Sequence, residues 1–239
     1  MRNWISLLVL MLLLSGCSLQ KDISESLPET SLPEATSAPL TEPIEPAATQ
    51  QDMVYPDPQD MVFVAVADYI PDIRIDLKYA GNDNFTGQVI YDFSTAYLRY
   101  GTVEKLAAVQ DDLRQLGLGL KIWDGFRPVA AQHKLWEVCP DSRYVANPKT
   151  GFSAHSRGNT VDVTLVDSEG NDLLMPTGFD DFTSRADRDY SDCTREAADN
   201  ALILEVLMEK HGFSGYKAEW WHYSDTVRYP VEETFLPTE

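Results

Sequence analysis

Four histidines, three cysteines and 38 acidic residues limit where this 239-residue chain can do chemistry. His133 follows Pro128 in a helical stretch, between Gln132 and Lys134, which read as solvent-facing types. His211 stands one residue before Gly212, at the end of a helix, where an imidazole suits the negative pole of the helix dipole. Both have structural readings. His155 and His222 do not share them. His155 lies in Ser153-Ala154-His155-Ser156-Arg157-Gly158-Asn159-Thr160-Val161-Asp162, where a Gly-Asn turn separates it from an aspartate set between two valines. A carboxylate in so apolar a strand is expensive unless it is paired or bound to a metal. His222 closes Glu219-Trp220-Trp221-His222. Two imidazoles and one carboxylate are a suitable ligand set for Zn²⁺, leaving a fourth position for water. Water held there has its pKa lowered to about 7, and Glu219 could take its proton without ligating metal itself. By spacing alone the signal is weak, because a His and an Asp seven residues apart are common.

Such residues need elements to hold them. Ile73 to Tyr79 (IRIDLKY) alternates as a strand does. Thr102 is placed to cap a helix whose apolar face is Val103, Leu106, Ala107, Leu113 and Leu116, with Gly117 as its stop. Leu118 to Asp124 reads as a strand entering a glycine-containing turn, and Pro128 suits the first position of a helix through about Val138. Thr160 to Val166 (TVDVTLV) alternates again. Thr194 can cap a long helix that runs to His211 and stops at Gly212. Glu219 to Ser224 reads as a short final strand. Helices and strands mixed without regular βαβ alternation predict an α+β fold, a small sheet with flanking helices.

Composition sets the wider limits. A net charge of -19 and a pI near 4.4 exclude a nucleic-acid partner, which requires a basic surface, and exclude electrostatic adhesion to anionic lipid. With 44 % hydrophobic residues, full-length disorder is excluded too. Residues 18–60 differ from the rest: they hold seven of the 14 prolines and nine acidic residues against Lys21 alone, and read as a disordered, extended tether. Before them, Arg2 and the apolar run Trp4 to Leu14 have the length of a signal peptide. Leu14-Ser15-Gly16-Cys17 resembles the lipobox of bacterial lipoproteins. That resemblance implies cleavage before Cys17 and lipid on Cys17, hence an exported protein held to a membrane through its lipid anchor only. The chain thus divides into a signal peptide (1–16), a lipidated cysteine with tether (17–60) and one folded domain (61–239). Cys139 and Cys193 leave a disulfide and two free thiols both open, and neither lies in the basic or histidine-rich setting of a nucleophile.

Five segments carry a further resemblance: DLKYAGNDNFTG (76–87), WDGFRP (123–128), SAHSRGNTVDVTL (153–165), MPTGFD (175–180) and EWWHY (219–223). In order and spacing they resemble the LAS metallopeptidases, the group of the zinc D,D-carboxypeptidases and the hedgehog domain. Within that group the vancomycin-resistance-type D-alanyl-D-alanine dipeptidases are the nearest likeness. The stretch from Trp136 to Ser153 is shorter than in some members, which reshapes the expected pocket entrance. The resemblance implies the hedgehog/D,D-peptidase-like fold and one zinc ion per chain on His155, Asp162 and His222. It implies Glu219 as general base and Arg127 as the cation that stabilises the oxyanion, charge that exists mainly in the transition state. It implies that Tyr79 and Asp180 receive the substrate's ammonium and that Ser153 lies near its carboxylate, roles that suit their hydrogen-bonding chemistry. Trp220 and Trp221 are then packing around the metal.

Three functions follow from the resemblance: a zinc dipeptidase acting on D-Ala-D-Ala, a D,D-carboxypeptidase trimming longer wall peptides, and a non-catalytic zinc domain that binds wall peptides. An intact Glu219 disfavours the third. An ammonium receptor closes the pocket one residue before the scissile bond, which favours the dipeptidase over the second. Anchored outside the membrane, such an enzyme cannot reach cytoplasmic D-Ala-D-Ala, so the expected role is wall-fragment turnover or D-alanine recovery.

Overall fold

The computed structural model describes residue 57 and residues 59–238. The signal peptide, Cys17 and almost the whole tether lie outside the described residues. The described chain runs β1 (Phe63–Ala65), α1 (Val66–Tyr69), β2 (Arg74–Ile75), β3 (Tyr97–Arg99), α2 (Tyr100–Gln115), β4 (Leu118–Asp124), α3 (Val129–Val138), β5 (Thr160–Asp167), α4 (Arg195–Lys210), β6 (Phe213–Tyr216) and β7 (Glu219–Asp225). Five strands form one sheet in the order β2-β4-β5-β7-β6, antiparallel except for the parallel pair β2–β4, while β1 and β3 form their own short antiparallel ladder. This is an α+β architecture. Among the described residues no helix is long and apolar enough to cross a membrane.

Two helices cover one face of the sheet. On α2 the buried residues Val103, Leu106, Val109 and Leu113 recur at helical spacing, and on α4 Ala197, Ala201, Leu204 and Met208 do the same. They meet the alternate residues Leu120 and Ile122 of β4 and Val161, Val163 and Leu165 of β5 in one core. Each fully buried Val or Leu there stabilises the fold by about 1.5–3 kcal/mol. α4 begins where its cap says it should: Thr194 Oγ1 accepts a hydrogen bond from the Ala197 amide at 3.2 Å. It ends at Gly212, whose φ of 85° few other residues adopt.

Several sequence expectations need correction. Thr102 does not cap α2. The helix starts at Tyr100 directly from β3, and the Thr102 hydroxyl turns inward to donate to Asp225 Oδ2 at 3.0 Å. The alternating run Ile73 to Tyr79 is a strand only at Arg74–Ile75, because the chain leaves the sheet edge and closes a 3-10 turn over Lys78–Ala80. Pro128 stands at the N-cap of α3 rather than inside its first turn. Gln132 is buried, not solvent-facing.

Candidate active site

β5 lies mid-sheet, and its residue Asp162 pairs in register with His222 on β7 and with Asp124 on β4. Two irregularities make that row possible. On β4, Ile122 pairs with Val163 but Asp124 pairs with Asp162, so Trp123 is an extra residue and Asp124 turns to the face that strict alternation would deny it. On β7, one step of β6 from Gly215 to Tyr216 spans four residues, Tyr223 to Glu219. This second bulge carries Glu219 round to the side of His222, with Glu219 Oε2 lying 3.7 Å from His222 Nδ1. Residues three apart on a regular strand face opposite ways. The bulges therefore place Asp124 beside His155 and Glu219 beside His222 instead of in the helix-covered core.

His155 arrives from the other direction, on a 3-10 turn at Ala154–Arg157. Ser153 caps that turn, its Oγ accepting from the His155 amide at 3.3 Å, and Gly158 with a φ of 75° leads into β5. The His155 Nδ1 lies 2.8 Å from the Gly125 carbonyl oxygen. A carbonyl only accepts, so the ring proton sits on Nδ1 and the Nε2 lone pair faces Asp162 Oδ2 at 3.4 Å. His222 Nδ1 lies 3.0 Å from Asp162 Oδ1. Burial would raise the Asp162 carboxyl, but His155 and His222, when protonated, outweigh it and hold it below the usual carboxylate range.

These residues fit a metal. The ligand atoms of His155, Asp162 and His222 lie within 4.8 Å of one another, and all three side chains are buried. Ligands about 2.0–2.1 Å from a tetrahedral ion are roughly 3.3 Å apart, close to the two spacings just given. Asp162 Oδ1, buried, faces His222 Nδ1 at 3.0 Å without a well-aligned hydrogen bond, although a buried carboxylate oxygen ordinarily makes one. The hydrogen bond from His155 Nδ1 to a backbone carbonyl is the arrangement that orients ligating histidines. Of the other histidines, His133 is exposed on α3, and His211 Nε2 lies 2.7 Å from Asp112 Oδ2, tying α4 to α2. Neither approaches the triplet. Cys139 and Cys193 are free thiols, pushed up in pKa by burial.

Arg127 is held by residues that the sequence reading passed over. Asp124, wholly buried, accepts from Arg127 Nη2 at 2.7 Å and Nε at 3.2 Å, and its other oxygen accepts from Tyr91 Oη at 2.7 Å. Gln132 Oε1 accepts from Arg127 Nη1 at 3.0 Å, while its Nε2 donates to the Ala146 carbonyl at 2.8 Å. Asp124 Oδ2 is also 3.6 Å from His155 Nδ1. One carboxylate thus fixes the guanidinium beside the histidine. The signal in the sequence was Asp124 itself, a charged residue ending an apolar strand three positions before Arg127.

Tyr79 and Asp180 meet as a pair, the tyrosine hydroxyl donating to Asp180 Oδ2 at 3.0 Å. The Arg127 guanidinium carbon lies 5.1 Å from the Tyr79 ring centroid, which joins this pair to the rest of the site. Burial, reinforced by the charge of Asp162, pushes the Asp180 carboxyl up to about 8. Asp180 also has a φ of 55°, uncommon for a residue other than glycine. Phe179 beside it packs on Tyr79, Trp123 and Trp221 at centroid distances of 5.6, 5.6 and 6.1 Å. Trp220 is fully buried and donates from Nε1 to Thr177 Oγ1 at 2.9 Å, tying β7 to the segment that carries Asp180.

A carboxylate between two imidazoles, a glutamate beside them and a fixed guanidinium behind define a metal-dependent hydrolase. The chain belongs to the D-Ala-D-Ala dipeptidase family of the M15 peptidases, whose sequence profile matches residues 59–238. It is 38 % identical over 177 residues to the D-alanyl-D-alanine dipeptidase of Escherichia coli K12, covering 73 % of this chain and 90 % of that protein. The corresponding dipeptidase of Enterococcus faecalis V583 is 30 % identical over 194 residues, covering 73 % and 96 %. That of Streptomyces coelicolor is 36 % identical over 183 residues, covering 68 % and 90 %. The protein is an enzyme, a peptidase of this family.

Proposed function

We propose that this enzyme is a zinc-dependent dipeptidase that hydrolyses D-Ala-D-Ala and related short dipeptides outside the cytoplasm. The observation that carries the reading is the Tyr79–Asp180 pair, a partly buried acid set beside Arg127 and the His–Asp–His triplet. It suits a substrate whose free ammonium lies one residue from the bond to be cut. An ammonium supplies the cation that burial denies Asp180, and draws the carboxyl into its charged form.

His155 through Nε2, Asp162 and His222 through Nδ1 would hold the zinc, which when bound supplies Lewis acidity to the peptide carbonyl and to water. Glu219 takes the proton from the attacking water at its carboxylate and later returns it to the leaving amine. Arg127, immobilised by Asp124 and Gln132, presents its guanidinium to the oxygen that gains negative charge, at no cost of reorganisation. Ser153 donates to the substrate carboxylate. The Leu14-Ser15-Gly16-Cys17 segment supports export and lipid anchoring at Cys17, and with it a role in wall-fragment turnover or D-alanine recovery.

The test uses the full-length chain loaded with zinc, with D-Ala-D-Ala, its N-acetyl derivative and a wall pentapeptide as substrates, and counts released D-alanine. Rapid cleavage of the free dipeptide alone is the expected result. Equal cleavage of all three would favour a carboxypeptidase, and zinc binding without any cleavage a wall-peptide-binding domain. Labelling by a radioactive fatty acid, lost in Cys17→Ser, tests the anchor.

A further inference from the structure

We infer that Arg188 is a positioning residue for the metal site: its guanidinium stands in for a strand along the bulged part of β7, and so keeps His222 and Glu219 on one side of the sheet. This rests on the reading of His222 as a ligand and Glu219 as the base. Arg188 lies in the loop before α4, is none of the groups assigned to substrate above, and acts through the backbone.

The bulge between Tyr223 and Glu219 creates a local problem. Trp220, Trp221 and His222 swing away from the regular ladder with β6, and buried carbonyls there need donors. Arg188 supplies them. Its Nη2 donates to the carbonyls of Trp220 and His222, both at 3.0 Å, and its Nε donates to the Tyr216 carbonyl at 2.8 Å. Its Nη1 donates to Tyr223 Oη at 3.0 Å and to Glu205 Oε2 at 3.1 Å. One planar group thus bridges both strands of the β6–β7 hairpin and ties them to α4. Only a guanidinium has donors spread widely enough to do so; a lysine ammonium is a point.

Two further features show a site built around this side chain. Gly215 is not among the positive-φ glycines, so no backbone angle demands glycine there. A Cβ at Gly215 would instead fall 2.3 Å from Arg188 Cζ. The glycine makes room for the guanidinium. Tyr190 takes a φ of 54°, a costly conformation for a tyrosine, and in doing so donates from its hydroxyl to Glu205 Oε2 at 2.6 Å, beside Arg188. The Arg188 amide donates to the Lys217 carbonyl at 3.2 Å, which holds the loop on the hairpin.

Without the guanidinium, the bulge can relax toward regular pairing. Glu219 then turns toward the helix-side core and His222 shifts against Asp162. The expected signature is a zinc affinity lowered about 10–100-fold, the usual effect of removing a group that orients a ligand. At saturating zinc, kcat falls and KM for D-Ala-D-Ala holds, since Tyr79 and Asp180 belong to other segments.

The test uses the full-length protein, with zinc affinity measured by competition against a chromophoric chelator and folding by the melting temperature of the zinc-free form. Arg188→Lys removes the spread of donors, and Gly215→Ala displaces an unaltered Arg188. Both are expected to lose zinc affinity and kcat together. Glu205→Gln, which weakens the ion pair and leaves the carbonyl contacts, is expected to stay near wild type in zinc affinity. Either of the first two variants, folded and with wild-type affinity and kcat, overturns the inference. So does Glu205→Gln losing as much affinity as Arg188→Lys, since the effect would then be general destabilisation. Should both variants fail to fold, side-chain ¹⁵N spectra of the wild-type protein decide: slowly exchanging Arg188 Nη hydrogens are expected, and fast exchange overturns it. A wild-type chain that takes up no zinc refutes the underlying metal reading instead.

Discussion

Asp162 on β5 stands directly opposite His222 on β7, with 3.0 Å between Oδ1 and Nδ1, and on its other flank opposite Asp124. Three strands thus deliver a candidate ligand pair and the anchor of Arg127 along one line across the sheet. Backbone hydrogen bonds fix the spacing along such a line, so little is left to side-chain flexibility. His155 alone comes from outside the sheet, and the Gly125 carbonyl at the end of β4 orients it.

That geometry predicts which histidines matter to the metal. His155→Ala, Asp162→Ala and His222→Ala should each abolish stoichiometric zinc, because a catalytic site needs three protein ligands and two hold it poorly. His133→Ala and His211→Ala should retain it. Full metal content in His222→Ala by elemental analysis would sink the assignment.

Glu219 is expected to separate from the ligands. Glu219→Gln should keep zinc and lose most turnover, because an amide cannot accept the proton of the attacking water. Loss of zinc along with activity would make Glu219 a ligand and send the search for the base elsewhere.

Arg127 and Asp180 should divide catalysis from binding. Arg127→Ala should lower kcat by about 10²–10³, the usual loss for one oxyanion donor, with a smaller change in KM. Asp180→Ala should mainly raise KM for D-Ala-D-Ala, because the ammonium is charged before and after attack, and should raise it much less for the N-acetyl dipeptide. Steady-state kinetics on both substrates check this; an equal rise in KM for the two would remove Asp180 from the ammonium site.

The raised carboxyl of Asp180 also has a pH signature. Its folded pKa of about 8 lies above the usual 3.8, so between those values the folded form binds the extra proton. Stability conferred there is complete below the lower value and is lost as pH rises through the upper one. In zinc-free protein, Asp180→Asn should therefore flatten the fall in unfolding free energy between about pH 4 and 8. Urea titrations of both proteins at several pH values measure it, and parallel curves would refute it.

Much of the scaffold could be read from the sequence because its signals are local. β4 matches its expected bounds, β5 and β7 exceed theirs by a single residue each, and Thr194 and Gly212 mark the ends of α4. β1 and β3 could not be read, since three-residue strands carry no periodicity and exist only through pairing with each other. Thr102 misled because β3 runs straight into α2, leaving the helix N-terminus where a strand ends. Gln132 misled because its neighbours His133 and Lys134 are exposed, and only the tertiary placement of α3 against Arg127 buries it. The bulges were illegible for the same reason: alternation fixes a strand's faces, and where the partner strand skips a residue depends on the partner.

Thr160 to Val166 of β5 are all buried, on both faces of the sheet. A one-residue slip would put a valine where Asp162 belongs and turn its carboxylate toward the helix-covered core, so alternation already disfavours it. An ion that binds only the aligned triplet draws the population toward that alignment by mass action, as any ligand selective for one state does. On the zinc reading proposed above, metal uptake would add a proofreading step to folding: a chain that zips β5 one residue out of place would have no site to fill, and would gain nothing by staying there.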